Sequence, residues 1–450
     1  MAKITHKDKR DWYLARFARF EQQLNGASAS ALHQVRRNAI EFFAESGFPT
    51  SRDEDWKHTN LAALTRIDFH PLLDGDPAAT SAADINPFTF ADLECTRLVF
   101  LNGLFAPHLS TSASLPPGVQ VTSLARALEE TPEKVEPHLG RYLPYQQQGF
   151  AALNTAFLKD GAFVYIPPNT ELEVPIHLLF VSRAGEQPSA SFPRNLIVVE
   201  ASARASLIET YAGFQDQIYL TNAATEAVIG ANATLEHCKI QRESDAAFHV
   251  AALHFNEARD SRLTANNISL GGRLTRNDIT TLLDGEAVES TLNGLYLMNR
   301  EQHVDNHTLI EHARPNCASH ELYKGILADR STGVFRGKIH VHQDAQKTNA
   351  YQSNQNLLLS DKADITSKPQ LEIYADDVKC SHGSTTGQLD QDAVFYLRAR
   401  GLGKWDAINV LTRAFAGELL ERIGNETVRH QLEQLVGGKL EAADHYGERA

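Results

Sequence analysis

Cysteine is scarce: Cys95, Cys238, Cys317 and Cys380 are the four in a chain of 450 residues. They are widely spaced, form no CxxC pair and follow no secretory signal, so no disulfide framework is expected and a reducing, cytoplasmic setting is. Long apolar runs are lacking too. No stretch approaches the roughly 18 apolar residues of a membrane-spanning helix, and the opening MAKITHKDKRDWYLARFARF is charged and amphipathic. Positive charge is in deficit. With 43 Lys and Arg against 56 Asp and Glu, the formal net charge of −13 opposes a phosphate backbone as a primary partner. A soluble chain with neither nucleic acid nor membrane as partner is expected. Its length allows a large core, arranged as two or three domains or as one elongated solenoid with appendages.

Standard catalytic templates are missing as well. VFRGKIH and GLGKWD contain Gly-Lys, but neither has the loop length or the following hydroxyl of GxxxxGK[ST]. The chain is therefore expected to bind no nucleotide, and any ATP hydrolysis belongs to a partner. No GxGxxG opens a helix after a strand, and neither GxSxG nor HExxH occurs. A non-enzymatic chain is expected.

What is present divides into three regions, 1–154, 155–389 and 390–450. In the first, Trp12, Phe17 and Phe20, then Leu32, Val35, Ile40 and Phe43 before Gly47 and Pro49, predict two helices. Residues 71–90 read as a loop, TRLVFLNGLF as a strand turning at Asn102-Gly103, and SLARALEE as a short helix. From about 155, short β-branched runs separated by turn residues continue for over 200 residues. A loose echo recurs 28 residues apart, ASL at 205–207, ATL at 233–235 and SRL at 261–263. A long sheet with no interleaved helices must close as a sandwich, barrel or solenoid, and the echo favours a mainly β chain built as a parallel β-helix. After Asp390, AVFYLRARG and then Ile408, Leu411, Phe415, Leu419 and Ile423 at steps of three or four predict helices, with Val428, Leu432 and Leu435 on a further one.

Histidine is locally dense among the chain's 19. His303, His307, His312 and His320 cluster with Cys317, and His340 stands two residues before His342. DDVKCSHGSTTGQLD places Cys380 two residues before His382, where a strand would put both on one face about 6.5 Å apart. Such pairs can chelate a metal or be hydrogen-bonded rung residues, and Cys238 and Cys317 read as small buried hydrophobes. Cys380 and His382 lie where the β pattern ends. Iron–sulfur clusters take four protein ligands, so a metal here requires another chain to complete its shell.

At these residues KPQLEIYADDVKCSHGSTTGQLDQDAVFYLRARGL resembles the SufB/SufD family of iron–sulfur cluster assembly scaffold subunits, on its SufD side. FPTSRDEDWKHTNLAAL at 48–64 and HELYKGILADRSTGVFRGKIHVHQDAQKTNAYQSNQNLLLS are similar to the family's N-terminal segment and core. The resemblance implies a right-handed parallel β-helix flanked by helical N- and C-terminal regions. It also implies pairing with SufB through the β-helix, with a transient iron–sulfur cluster built between the two chains. His382 matches a family histidine that contributes a ligand there, and Cys380 the cysteine two before it. The resemblance further implies that the ATPase SufC docks on the C-terminal helices, which makes Ile408, Leu411, Phe415 and Leu419 candidate partner contacts, and a homodimer is expected where SufB is absent. Two further readings are a β-helix carbohydrate-active enzyme and a purely structural interaction protein.

Overall fold

Each turn of the chain's central region is bent at a residue in the left-handed backbone conformation, most often Asn or Asp. Asn169, Ser202, Asn232, Asp260, Ala287, Asn316 and Lys347 all have φ between 57° and 64°, and Asn and Asp hold that conformation at little cost. Each donates its backbone N–H to a carbonyl one turn further on, as Asn232 does to Arg259 and Asp260 to Glu286. The bends therefore stack into one corner of a coil. The structure, a computed structural model, describes residues 6–24, 30–73 and 80–447.

Between these bends the chain forms a parallel β-solenoid of about eight turns. One sheet runs from Arg194–Val199 up to Asp364–Ile373 and the other from Ile176–Ser182 up to Lys379–Gly387. The expected β-helix is thus the observed one, but its repeat is not a constant 28. Ala205, Leu235, Leu263, Ser290, Ser319, Ala350 and Cys380 are successive register partners, at steps of 27 to 31 residues. Leu235 and Leu263 are true partners, whereas Leu207 of the echo lies beside His237.

The bore between the sheets is apolar at its margins, with Ile229, Leu235, Phe255, Val304, Phe335 and Val341 in one buried cluster. Polar side chains cross its centre. His237 meets Glu209 at 2.9 Å, and Lys239 contacts His249 at 2.9 Å and donates to Asn277 at 2.6 Å. Burial requires each such group to find a partner inside the bore, which penalises any slip between turns.

The N-terminal region packs around one end and flank. α1 (His6–Gln23) and α2 (Ala31–Ser46) are the two expected helices, α2 capped by Ser30 and closed at Gly47. The apolar stripe of α2 is rotated from the expected one. Val35 is exposed while His33 and Arg36 are buried, because Arg36 donates to the Leu158 carbonyl at 2.8 Å and His33 meets Glu21 at 3.0 Å. In the expected loop, Ala82–Ile85 is a short helix with a Ser81–Asp84 capping box, and residues 74–79 lie outside the described residues, as do 1–5 of the opening segment. Thr96–Leu101 turns at Asn102-Gly103 as expected. It also pairs in parallel with Ile176–Ser182, so the second sheet continues across the 154/155 boundary. α3 (Leu124–Glu130) and α4 (Gly149–Ala156) complete the region.

At the other end, α5 (Gln391–Ala399), α6 (Lys404–Leu420) and α7 (Glu426–Gly447) fold back along the outside of the second sheet. Ala416, Leu419, Leu420, Ile423, Val428 and Leu432 bury against Ile240, Ile268, Leu295, Leu322 and Ile326. No helix among the described residues is long and apolar enough to cross a membrane.

Glu257 is fully buried, one oxygen accepting from Thr281 at 2.5 Å and the other without a partner. Burial pushes its pKa up to about 8, against about 4.3 in an unfolded chain. The fold therefore favours the neutral acid, and that stability is present below the unfolded pKa and lost as pH rises toward 8. Glu257→Gln removes the ionisation while keeping the shape. The difference in melting temperature, variant minus wild type, is expected to grow from pH 5 to pH 8; a constant difference would show that Glu257 does not titrate there.

Candidate metal-binding end of the solenoid

Among the described residues, Asp364–Ile373 and Lys379–Gly387 each close their sheet at one edge, with a partner strand on one side and none on the other. Side-chain direction on Lys379–Gly387 follows from register. Cys380 lies over Ala350 and His382 over Gln352, both of which are buried in the bore. Alternation then aims Cys380 and His382 into the mouth of the solenoid.

The two residues differ in environment. Cys380 is half-buried against the bore cluster, and burial raises its thiol pKa above the ordinary value, so it is protonated at neutral pH. His382 is exposed. Further along the strand Ser384 donates to Ser367 across the mouth at 2.8 Å, and Ser367 to Asn354 at 2.7 Å. One turn below His382, Gln352 donates to Glu321 at 2.6 Å. Glu321 is buried, and burial pushes its pKa up to about 7. Among the described residues no group of three or more His, Cys, Asp or Glu is arranged to hold a metal ion. A metal at Cys380 and His382 would therefore need ligands from outside the described residues.

The remaining histidines are dispersed. His303 bonds Thr59 and Thr332, His307 meets Asp305 at 3.1 Å, and His312 meets Ser319 at 2.9 Å inside the bore. His340 and His342 share a face as expected, with rings stacked 4.7 Å apart, but each lies near a separate acid, Glu372 at 3.8 Å and Glu311 at 2.7 Å. His320 is exposed, and Cys238 and Cys317 are buried.

The stripe on α6 is largely spent inside the molecule. Leu419 is fully buried and Phe415 lies half-buried beneath Lys324, whose ammonium sits 4.4 Å from its ring. Leu419 is thus a core residue and not an available contact, because the apolar face that made it a candidate is the face the second sheet covers. Leu411 is half-buried, and Ile408 lines a cavity of roughly 600 Å³ with Trp405, Val394, Leu359 and Leu440. The most exposed apolar side chains of these helices are others: Phe395 at 71%, Tyr396 at 56% and Val410 at 46%. AVFYLRARG carried the first two, but helical periodicity alone does not say which side faces out.

The FPTSRDEDWKHTN segment has a concrete role that its letters did not reveal. Trp56 stacks on Phe150 at 5.4 Å and packs under the Arg276 guanidinium at 4.4 Å. Arg276 is buried between Asp278 and Asp305 at 2.5 Å from each, and donates to the Asp55 carbonyl at 2.8 Å. Thr59 bonds Asp305, Asp55 pairs with Arg336, and Glu54 meets Lys368 at 2.8 Å. The segment thus clasps four successive turns, the outermost through Lys368. Arg276 and its hydrogen bonds hold Asp305 well below the usual carboxylate range despite burial.

The chain is thus a parallel β-solenoid with a helical flank, whose last described turn leaves one edge of each sheet unpaired and carries Cys380 and His382 on its inward columns. Residues 180–415 match the family described as SUF system FeS cluster assembly, SufBD core domain, and residues 7–178 match the SufBD protein N-terminal region. The chain belongs to the SufB/SufD family of iron–sulfur cluster assembly proteins. It is 37% identical over 424 residues to an iron–sulfur cluster assembly SufBD family protein of Synechocystis, covering 92% of this chain and 93% of that one. It is 31% identical over 401 residues to the iron–sulfur cluster assembly protein SufD of Escherichia coli, covering 88% and 90%. With the Arabidopsis chloroplastic protein ABCI7 the identity is 28% over 431 residues, covering 93% and 89%. Family membership sets aside the carbohydrate-active reading.

Removing residues 402–450 would expose Ile240, Ile268, Leu295, Leu322 and Ile326 together, each worth about 1.5–3 kcal/mol when buried. The truncated chain is expected to melt well below the full chain and to scatter light on standing. An unchanged melting temperature would mean that the helices contribute no stability to the solenoid.

Proposed function

We propose that this chain is a SufD-type, non-catalytic subunit of the SUF scaffold. It pairs with SufB through the open end of its β-helix, and a transient iron–sulfur cluster is built between the two chains. The observation that carries this reading is the mouth itself: in a member of this family, Cys380 and His382 take the inward columns of the terminal strand.

Two strands of ten and nine residues with one unpaired edge each are a template for another chain. Tyr351, Ile373 and Tyr374 stand exposed around them, which suits an interface core. SufB is the proposed partner on this edge, with a second copy of the chain taking its place when SufB is absent. His382 stands exposed at the mouth, whereas the half-buried Cys380 thiol must release a proton to bind iron and burial disfavours its thiolate. Histidine is therefore the primary ligand from this side and cysteine the secondary one.

SufC supplies nucleotide hydrolysis, and this chain binds none. The proposed SufC contact is the outer side of the C-terminal helices, where Leu411 is joined by Phe395, Tyr396 and Val410. The proposed setting is the cytoplasm.

Mixing the chain with SufB and SufC under anaerobic iron and sulfide tests the central claim. His382→Ala is expected to keep the melting temperature and the complex stoichiometry, since an exposed side chain leaves no cavity, while losing most of the cluster absorbance. Cys380→Ser is expected to be milder. Normal cluster yield with His382→Ala would remove His382 from the ligand set.

Phe395→Ser with Tyr396→Ser tests the other contact. Exposed aromatics at the centre of an interface carry much of its affinity, so SufC capture is expected to weaken at least roughly tenfold with the melting temperature unchanged. Undiminished capture would put SufC elsewhere on the chain.

A further inference from the structure

The two turns beneath His382 each hold a buried side-chain oxygen with no hydrogen-bond partner. Glu321, Gln352 and His382 are consecutive register partners on the inward face of the second sheet. Gln352 is fully buried, and its Nε2 donates to Glu321 Oε2 at 2.6 Å. The ionised Glu321 carboxylate accepts and does not donate, so above its pKa of about 7 this bond fixes which end of the amide faces Glu321. The carbonyl end is left over, and Gln352 Oε1, like Glu321 Oε1, is buried with no hydrogen-bond partner. An orphaned buried acceptor costs free energy and asks for a reason.

The opposite wall is cut away for this amide. A Cβ at Gly337 would come within 2.2 Å of Gln352 Nε2, so Gly337 makes the room in which the side chain lies across the bore. The amide is therefore held from two sides: by Glu321 in its own sheet and by the space at Gly337 in the facing one. The neighbouring position on its column, one turn outward, is His382. That ring is exposed and stands on the same inward column as the orphaned oxygen.

We infer that Gln352 is a positioning residue for His382: its Oε1 accepts the N–H of one imidazole nitrogen and leaves the other nitrogen directed out of the mouth. Metal-ligating histidines are commonly held in this way, the bond selecting the tautomer and the ring orientation. Glu321 acts one step further back, by keeping the amide from flipping. The inference rests on the reading of His382 as a ligand, and it concerns a property of the chain measurable with no metal present.

The test is nitrogen NMR of the full chain labelled with ¹⁵N-histidine, with His382 assigned by the signals that vanish in His382→Ala. The ratio of the two neutral tautomers is compared between wild type, Gln352→Met, which keeps the volume and removes the acceptor, and Glu321→Gln, which frees the amide to flip. One hydrogen bond of ordinary strength biases the ratio by roughly tenfold. Wild type is expected to show that bias relative to Gln352→Met, and Glu321→Gln a severalfold smaller one. Should Gln352→Met fail to fold, the Glu321→Gln comparison reads the same property. Equal tautomer ratios in wild type and in the folded variants would overturn the inference. Normal cluster yield in His382→Ala would instead overturn the ligand reading and leave the tautomer result as it stands.

Discussion

A parallel ladder must hand every backbone N–H and C=O to the next turn, and the rest of this molecule follows from where that handing-on stops. Along the solenoid each turn satisfies the one below it, down to the corner residues whose N–H groups reach the next turn's carbonyls. Helices and loops gather at the other end and flank. At Asp364–Ile373 and Lys379–Gly387 the last turn offers its edges outward. An uncapped end is an aggregation hazard unless a partner covers it, and Cys380 and His382 stand on that turn.

The clasp and the bore stabilise the terminal turns in different ways. Outside, Glu54, Asp55 and Trp56 tie the N-terminal segment to Arg276, Arg336 and Lys368 on successive strands of the first sheet. Inside, Tyr296 donates across two turns to Asn356 at 2.5 Å, and Asn356 donates along its own strand to Asn354 at 2.7 Å, so polar groups near the mouth are linked to the turns below. Breaking a buried charge pair such as Arg276 and Asp305 leaves one charge uncompensated, a cost of about 3–5 kcal/mol. Both devices hold the open end in register without covering it.

The helical tail serves two faces with one sequence pattern. Its inner stripe, including Leu419 and Ile423, replaces water over the second sheet, while Phe395, Tyr396 and Val410 stay outside. A partner contact and a core contact share the same apolar vocabulary. Burial decides between them, and burial is a property of the assembled sheet.

Local chemistry alone determined a good deal. β-branched runs without interleaved helices allow few ways to close a sheet, so the solenoid was legible; period two put Cys380 and His382 on one face; Gly47 and Gly401 marked helix ends. The recurrent left-handed Asn and Asp at the corners carried the true repeat, but Ala287 and Lys347 stand at the same corner and blur it. Tertiary structure decided which face Cys380 and His382 share, because only the register with Ala350 and Gln352 distinguishes the bore from the outside. It likewise decided that Val35 faces water while Arg36 does not, that Leu419 is core, and that Trp56 finds Arg276 220 residues away in sequence. Periodicity is set by neighbours along the chain, whereas inside and outside are set by partners that the chain brings together only when it coils.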